Sequence, residues 1–304
     1  MAQAVAVETR VRAWRERVSA APYLLLAPAG LALAAVSVYP LFYGIRASLE
    51  KYRYGREVGF TGLDNYRIVF HDRVFWDALL VTLKFVALAV SVETVLGLAL
   101  ALLVSRELRF AGSIRVGLIL PMTIAPVVVG IIWRLLYASD IGVVNPLFGS
   151  LGLSEPDVLA HKTSAFVGLV AVDVWEWTPL LFLILLAGLQ GLPQEPLEAA
   201  RVDGAGRVQT FLHHTLPLLR PVLLVAIVLR TIDAIGTFDQ IFVLTRGGPG
   251  TATQLISIYG YNTAFRFSQY GYAAAMLLSL LVFMLLLMAA VVRQMRRAAA
   301  GAEA

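Results

Sequence analysis

Six apolar stretches, at about residues 22–46, 78–104, 113–137, 164–189, 217–244 and 271–292, are each long enough to cross a bilayer as a helix. A span needs about 20 apolar residues, and inside the hydrocarbon every backbone N–H and C=O must be paired within the protein. Six such stretches take up about half of the 304 residues, and the pieces between them are too short for a separate domain. The expected fold is an all-α integral membrane protein with six transmembrane helices, read as one membrane domain and not as two soluble ones. Composition supports this: 59% of the residues are hydrophobic, 15% are charged and the mean hydropathy is +0.77. A soluble domain carries fewer apolar and more charged residues.

Arginine placement orients the spans. Arg10, Arg12, Arg15 and Arg17 precede the first span, and Arg106, Arg109 and Arg115 lie around the second turnaround. Arg201, Arg207 and Arg220 fall between the fourth and fifth spans, and Arg293, Arg296 and Arg297 follow the sixth. By the positive-inside rule both termini and the 190–216 segment are cytoplasmic. The expected division is a basic N-terminus (1–21), a membrane domain (22–292) and a cytoplasmic tail (293–304). The net charge of +5 is then a topology signal and no sign of a nucleic-acid partner. The first apolar run exceeds the roughly 7–15 residues of a signal-peptide core, so a retained anchor is expected. Ahead of it, Val11, Trp14 and Val18 recur at helical spacing among arginines. An amphipathic helix on the membrane surface and an irregular basic tail both fit that pattern.

The segment EAARVDGAGRVQTFLHHTLPLLRP, 198–221, is polar and sits between two apolar stretches. Pro193 and Pro196 suit a helix start, and Glu195 and Glu198 fall in a first turn, where carboxylates favour the positive end of the dipole. Asp203-Gly204 ends that helix, because glycine adopts the left-handed geometry of a C-terminal cap. A second short helix is expected at about 207–215. A DNA-binding helix-turn-helix has the same outline, but both ends here run into membrane spans and no dense basic face is present. An interfacial linker and a socket for another protein are the remaining readings.

This segment resembles the EAA loop of the membrane-spanning subunits of bacterial ABC importers. Glu198-Ala199-Ala200, Asp203-Gly204-Ala205, Phe211, Leu216-Pro217 and Pro221 fall at that family's spacings. His214 departs from it, standing where Ile or Val is usual. A second resemblance is to the MalF/UgpA-type carbohydrate permeases, carried by Phe238–Pro249 at the end of the fifth span, Gly271–Ala275 at the start of the sixth and Tyr39-Pro40 near the end of the first. The resemblance implies the type I ABC importer permease fold with a cytoplasmic coupling-helix loop at about 190–216. It further implies partners: a homologous second permease, an ATP-binding cassette ATPase dimer and an extracytoplasmic solute-binding protein, in the bacterial cytoplasmic membrane with its lipid. Glu198, Ala199, Ala200, Asp203, Gly204 and Ala205 would dock on the ATPase, which uses ATP and Mg; this chain is expected to bind no cofactor. A carbohydrate is the implied cargo, and glycerol 3-phosphate or a related ester is the alternative.

Ionisable residues inside a membrane are costly and mark either a pathway or a buried pair. Asp173, Glu176 and Trp177 lie in VAVDVWEWTPLLF, with Asp173 and Trp177 on one helical face. Carboxylates beside indoles suit sugar hydroxyls and C–H faces; a wet position at the membrane interface, where Trp is enriched, suits them equally. Further along, Arg230 and Asp233 are spaced for an ion pair, while Thr237, Asp239 and Gln240 are candidate substrate contacts. Lys84 and Glu93 are read as snorkelling or paired, with little functional weight.

Several chemistries are absent. The chain has no cysteine, no GxxxxGK[ST] phosphate loop and no HExxH motif, and its four histidines have no metal-ligand spacing. No catalytic or metal residue is therefore expected, and a transport subunit is the reading. The rival is an ion-coupled secondary transporter using Asp173, Glu176 and Asp239. It leaves the 198–221 segment unexplained and would call for an inverted repeat of broken helices.

Overall fold

The computed structural model describes residues 21–53, 55–105, 111–152 and 157–300. The basic amphipathic stretch around Trp14, the Arg106 and Arg109 positions and the last four residues lie outside that set. The long helices are α1 (Ala21–Ser48), α3 (Arg73–Val104), α7 (Lys162–Gln190), α10 (Leu216–Gly236) and α13 (Tyr270–Ala300). Among the described residues, α1, α3, α7 and α13 are long and apolar enough to cross a membrane. The fifth expected span, in α10, has the length but carries Arg220, Arg230 and Asp233.

Two of the six stretches are divided in the structure. The third divides into α4 (Ala111–Ile119), a 3-10 turn at Pro121–Thr123 and α5 (Pro126–Leu136). Pro121 and Pro126 lack the N–H that a continuing helix needs, so each opens a new segment. The fifth runs from α10 across Thr237 and Phe238 into α11 (Asp239–Leu244). Thr237 leaves helical geometry at ψ 128°, and its freed carbonyl accepts a hydrogen bond from Ser257 Oγ at 2.7 Å. A neighbouring hydroxyl thus supplies the pairing that a break inside a membrane requires.

The segment after α1 is not helical throughout. Strands β1 (Glu50–Arg53) and β2 (Arg56–Phe60) form an antiparallel ribbon in which Glu50 faces Phe60, followed by the short helix α2 (Asp64–His71). Asn65 Nδ2 of α2 donates to the carbonyls of Ser48 and Glu50, at 2.8 and 2.9 Å, and fixes the ribbon to the end of α1. At the same end of the bundle lie α6 (Val144–Ser150) and α12 (Ile256–Tyr261), which α13 follows.

The core forms where α3 and α7 cross. Gly97 permits their close approach, since a Cβ there would lie 3.0 Å from Leu181 Cβ and from the Phe182 amide nitrogen. Phe85, Ala89, Leu169 and Val172 pack into one buried cluster with Ile241, Ile256 and Met276. A second cluster, Ala101, Phe182, Leu185 and Leu219, joins α3, α7 and α10 near the other end. Helix α5 lies against α11, and Gly130 marks the contact, 2.9 Å from the Gln240 carbonyl if a Cβ were present. Most of α1 is uncovered, with Leu25 80% and Val36 75% exposed. In a bilayer such a surface faces lipid or another apolar chain.

Candidate functional site

Between α7 and α10 the chain leaves the bundle as a helical hairpin. Helix α8 (Glu195–Val202) has Pro196 in its first turn and Glu195 and Glu198 beside its N-terminus. Leu197 and Ala200 face inward, while Glu198, Ala199, Arg201, Val202 and Asp203 are exposed. The helix ends as its sequence dictates: Gly204 has φ +84°, and the Ala205 N–H donates to the Ala200 carbonyl at 2.9 Å. That is the capping geometry glycine adopts without a Cβ penalty. Helix α9 (Arg207–Thr210) follows, with the Gly206 N–H bonded to Gln209 Oε1 at 2.9 Å.

Beyond Thr210 the structure differs from expectation. A wider, π-type turn at Phe211–Thr215 carries α9 directly into α10, so the second hairpin helix is the first turn of the next span and not a separate unit. His214 is half-buried in that turn, and His213 Nδ1 lies 3.0 Å from the Gln209 carbonyl oxygen. The hairpin also leaves apolar side chains uncovered, with Val202 87% and Val208 70% exposed. A cleft of about 770 Å³ between the hairpin and the end of α3 is lined by Leu102, Ser105, Arg201, Arg207 and Phe211.

The second candidate region lies inside the bundle. Arg230 is fully buried, and each guanidinium nitrogen bonds to a carboxylate. Nε donates to Glu93 Oε2 at 2.8 Å and Nη2 to Glu93 Oε1 at 3.1 Å. Nη2 also donates to Asp173, and Nη1 to Asp233 Oδ2 at 2.8 Å. Gln240 Nε2 donates to the other Asp173 oxygen at 2.5 Å. The guanidinium carbon stands 5.1 Å from the Trp177 ring centroid, a cation–π distance.

Of the candidate pathway residues, Asp173, Trp177 and Gln240 take part in these contacts. Asp173 and Gln240 are fully buried and tied into the Arg230 centre, so Asp173 is not in a wet interfacial position. Glu176, 1% exposed, keeps Oε2 without a hydrogen-bond partner among the described residues, as does Gln240 Oε1. Trp177 and Thr237 are half-buried, and Asp239 is exposed at the start of α11. The expected Arg230–Asp233 pair is present, but it is the lesser part of the arrangement. Glu93, read from sequence as carrying little weight, supplies two of the bonds. An arginine deep in one span and an acid deep in another were the available signal, since buried charges in a membrane seek one another.

At the ribbon end, Asp72 caps α3, accepting from the Val74 N–H at 2.8 Å, and also accepts from the hydroxyls of Tyr259, at 2.6 Å, and Tyr272. Burial pushes its carboxyl up, but the two tyrosine hydroxyls and the Val74 and Phe75 amides outweigh it and hold it below the ordinary carboxylate range. Among the described residues no group of His, Asp and Glu is arranged to hold a metal ion.

Residues 93–299 match the family described as the binding-protein-dependent transport system inner membrane component. The chain belongs to that family. It is 41% identical over 276 residues to a probable ABC transporter permease protein, y4oQ, of Sinorhizobium fredii, covering 90% of this chain and 88% of the relative. It is 39% identical to the trehalose/maltose transport system permease protein MalF of Thermococcus litoralis, over 84% of this chain and 86% of that one. Among solved structures, a bacterial ABC transporter that imports the acidic polysaccharide alginate superposes with a TM-score of 0.80 at 22% identity, covering 94% of this chain and 99% of that one. The fold is thus that of an ABC importer permease, and the chain is a transport subunit and not an enzyme.

Proposed function

We propose that this permease carries a carbohydrate across the bacterial cytoplasmic membrane, paired with a homologous second permease, an ATPase dimer and an extracytoplasmic solute-binding protein. The observation that carries the reading is the exposed hairpin at 195–210. It connects two bundle helices, is capped by Gly204 and presents Glu198, Ala199 and Val202 outward. A polar loop with uncovered apolar side chains serves no purpose within the chain, whereas a protein cleft buries it. Glu198 meets that cleft by charge, Ala199 and Ala200 keep the helix thin, and Asp203-Gly204-Ala205 hold the turn.

Both termini lie in the cytoplasm on this reading, as does the hairpin. The solute-binding protein then delivers cargo to the ribbon end. ATP binding draws the ATPase pair together, and the hairpin converts that closure into rocking of the helices between inward- and outward-facing states. Thr237, Asp239, Glu176 and Trp177 are the polar groups left to meet the cargo. Support for a sugar comes from the trehalose/maltose permease among the relatives and from the hydrogen-bonding and aromatic character of this set.

The test is reconstitution in liposomes. Chain alone should hydrolyse no ATP; with its ATPase, second permease and binding protein it should drive ATP-dependent sugar uptake. A panel of mono-, di- and oligosaccharides with glycerol 3-phosphate identifies the cargo. Uptake driven by a proton gradient, with this chain alone, would overturn the assignment.

A further inference from the structure

The buried charge centre joins helices that are far apart in sequence. Arg230 of α10 holds Glu93 of α3 through two nitrogens and Asp173 of α7 through one, and its remaining nitrogen goes to Asp233 one turn along α10. We propose that Arg230 is a positioning residue that fastens α10 to the α3–α7 pair, so that the three helices move as one body when the hairpin is displaced. This rests on the coupling role proposed for that hairpin.

The packing explains why a fastener is needed. Helices α3 and α7 are already locked by backbone approach at Gly97. Helix α10 approaches α7 comparably near the hairpin, where a Cβ on Gly188 would lie 2.8 Å from Val222. Farther along, the α10 residues turned inward are Ala226, Arg230, Ala234 and Ile235. Alanines offer little to interdigitate, and apolar contact is non-directional, so it resists sliding weakly. A guanidinium is a rigid planar fork whose hydrogen bonds have fixed directions. Sliding or rotating α10 would strip partners from two fully buried carboxylates, a steep penalty in a low-dielectric interior.

The location fits the load. The hairpin connects to α7 after Gln190 and to α10 at Leu216. Arg230 stands 14 residues beyond Leu216, about 21 Å along the helix at 1.5 Å per residue. A push at the hairpin acts on two helix ends, and without a tie at mid-height it would splay α10 from α7. With the tie, the push reaches α3 at mid-height as well as through the apolar cluster around Leu219, although α3 does not adjoin the hairpin in sequence.

The experiment uses the complete importer in liposomes, with Arg230→Lys and Glu93→Gln compared against Glu198→Ala. The chain has no cysteine of its own, so with partner subunits freed of reactive thiols, spin labels at Leu103→Cys of α3 and Leu218→Cys of α10, 53% and 38% exposed, report one distance. In otherwise unaltered importer that distance should be narrow and the same with and without ATP. In Arg230→Lys it should broaden or shift with ATP, and sugar moved per ATP hydrolysed should fall about fivefold or more, as loss of a typical coupling energy gives. Glu93→Gln keeps the side-chain size and should show the same change in smaller degree, which covers failure of Arg230→Lys to assemble. A purely structural role would lower the yield of complex and leave the ratio and the distance of the surviving molecules unchanged; that result overturns the proposal. So does an ATP-dependent change of the distance in unaltered importer. If Glu198→Ala leaves coupling intact the hairpin reading fails by itself, while the label distances still decide whether the three helices move together.

Discussion

Arg230 and Glu198 are both charged residues on helices of an apolar chain, and their surroundings are opposite. Arg230 is fully buried with three carboxylates and an indole around it. Glu198 is exposed at the start of α8, beside Ala199 and near the uncovered Val202. The first residue is accounted for within the chain: remove its partners and buried charges stand alone. Among the described residues no side chain partners the second, and only the N-terminal end of its own helix favours its charge. A polar helix that leaves the bundle, buries two residues and exposes the rest is informative because it lacks an internal reason, and that directs attention to a partner.

The larger effect is expected at Arg230. Arg230→Ala leaves Glu93 and Asp173 buried without their cation, and loss of one member of such a set costs on the order of 3–5 kcal/mol. The purified chain in detergent should lose folded yield and unfold at markedly lower temperature. An unchanged unfolding temperature would mean that the charges are not held as the structure places them.

The hairpin should respond in the reverse manner. Gly204→Val forces a β-branched residue into φ +84°, although no atom lies within 4 Å of the added Cβ. The strain is local, about 1–2 kcal/mol, so the bundle should still fold. Uptake should be lost while the partner ATPase hydrolyses ATP without regard to sugar. Glu198→Ala should change stability by no more than about 0.5 kcal/mol, as exposed substitutions do, and still weaken coupling. Measuring unfolding and sugar per ATP on the same preparations separates the two regions: a stability loss in either hairpin variant comparable to that of Arg230→Ala would erase the distinction.

The two regions also differed in how far their sequences could be read. The hairpin is specified by neighbours: Pro196 opens α8, Gly204 closes it, and the bond from Ala205 to Ala200 spans five residues. Such signals are local, and the EAA pattern adds to them. The charge centre is specified by distance. Asp233, three residues from Arg230, was visible as its partner, whereas Glu93 is 137 residues away and Asp173 is 57. The broken spans follow the same logic. Pro121 and Pro126 announce the first break locally, but hydropathy alone joins the pieces because both are apolar. The break at Thr237 depends on the Ser257 hydroxyl in another segment, which no window over 217–244 contains.

Asp72 lies between the two cases, since it is partly exposed and yet partnered within the chain. Its carboxyl is held below the ordinary range in the folded protein. A depressed folded pKa contributes stability that is present above the unfolded value, about 3.9, and is lost as pH falls through the folded one. Asp72→Asn should therefore unfold at a slightly lower temperature than the unaltered chain near neutrality, with the gap closing below about pH 4. The effect should be small, because solvent screens a partly exposed group. A gap independent of pH would show that the amide's geometry and not the charge matters at the Tyr259–Tyr272 joint. The same variant should leave sugar per ATP unchanged, because Asp72 already has its partners. Uncoupling by Asp72→Asn as strong as by Glu198→Ala would mean that charge at either end of the bundle is enough to disturb transport. The lack of an internal partner would then no longer be what distinguishes a docking residue.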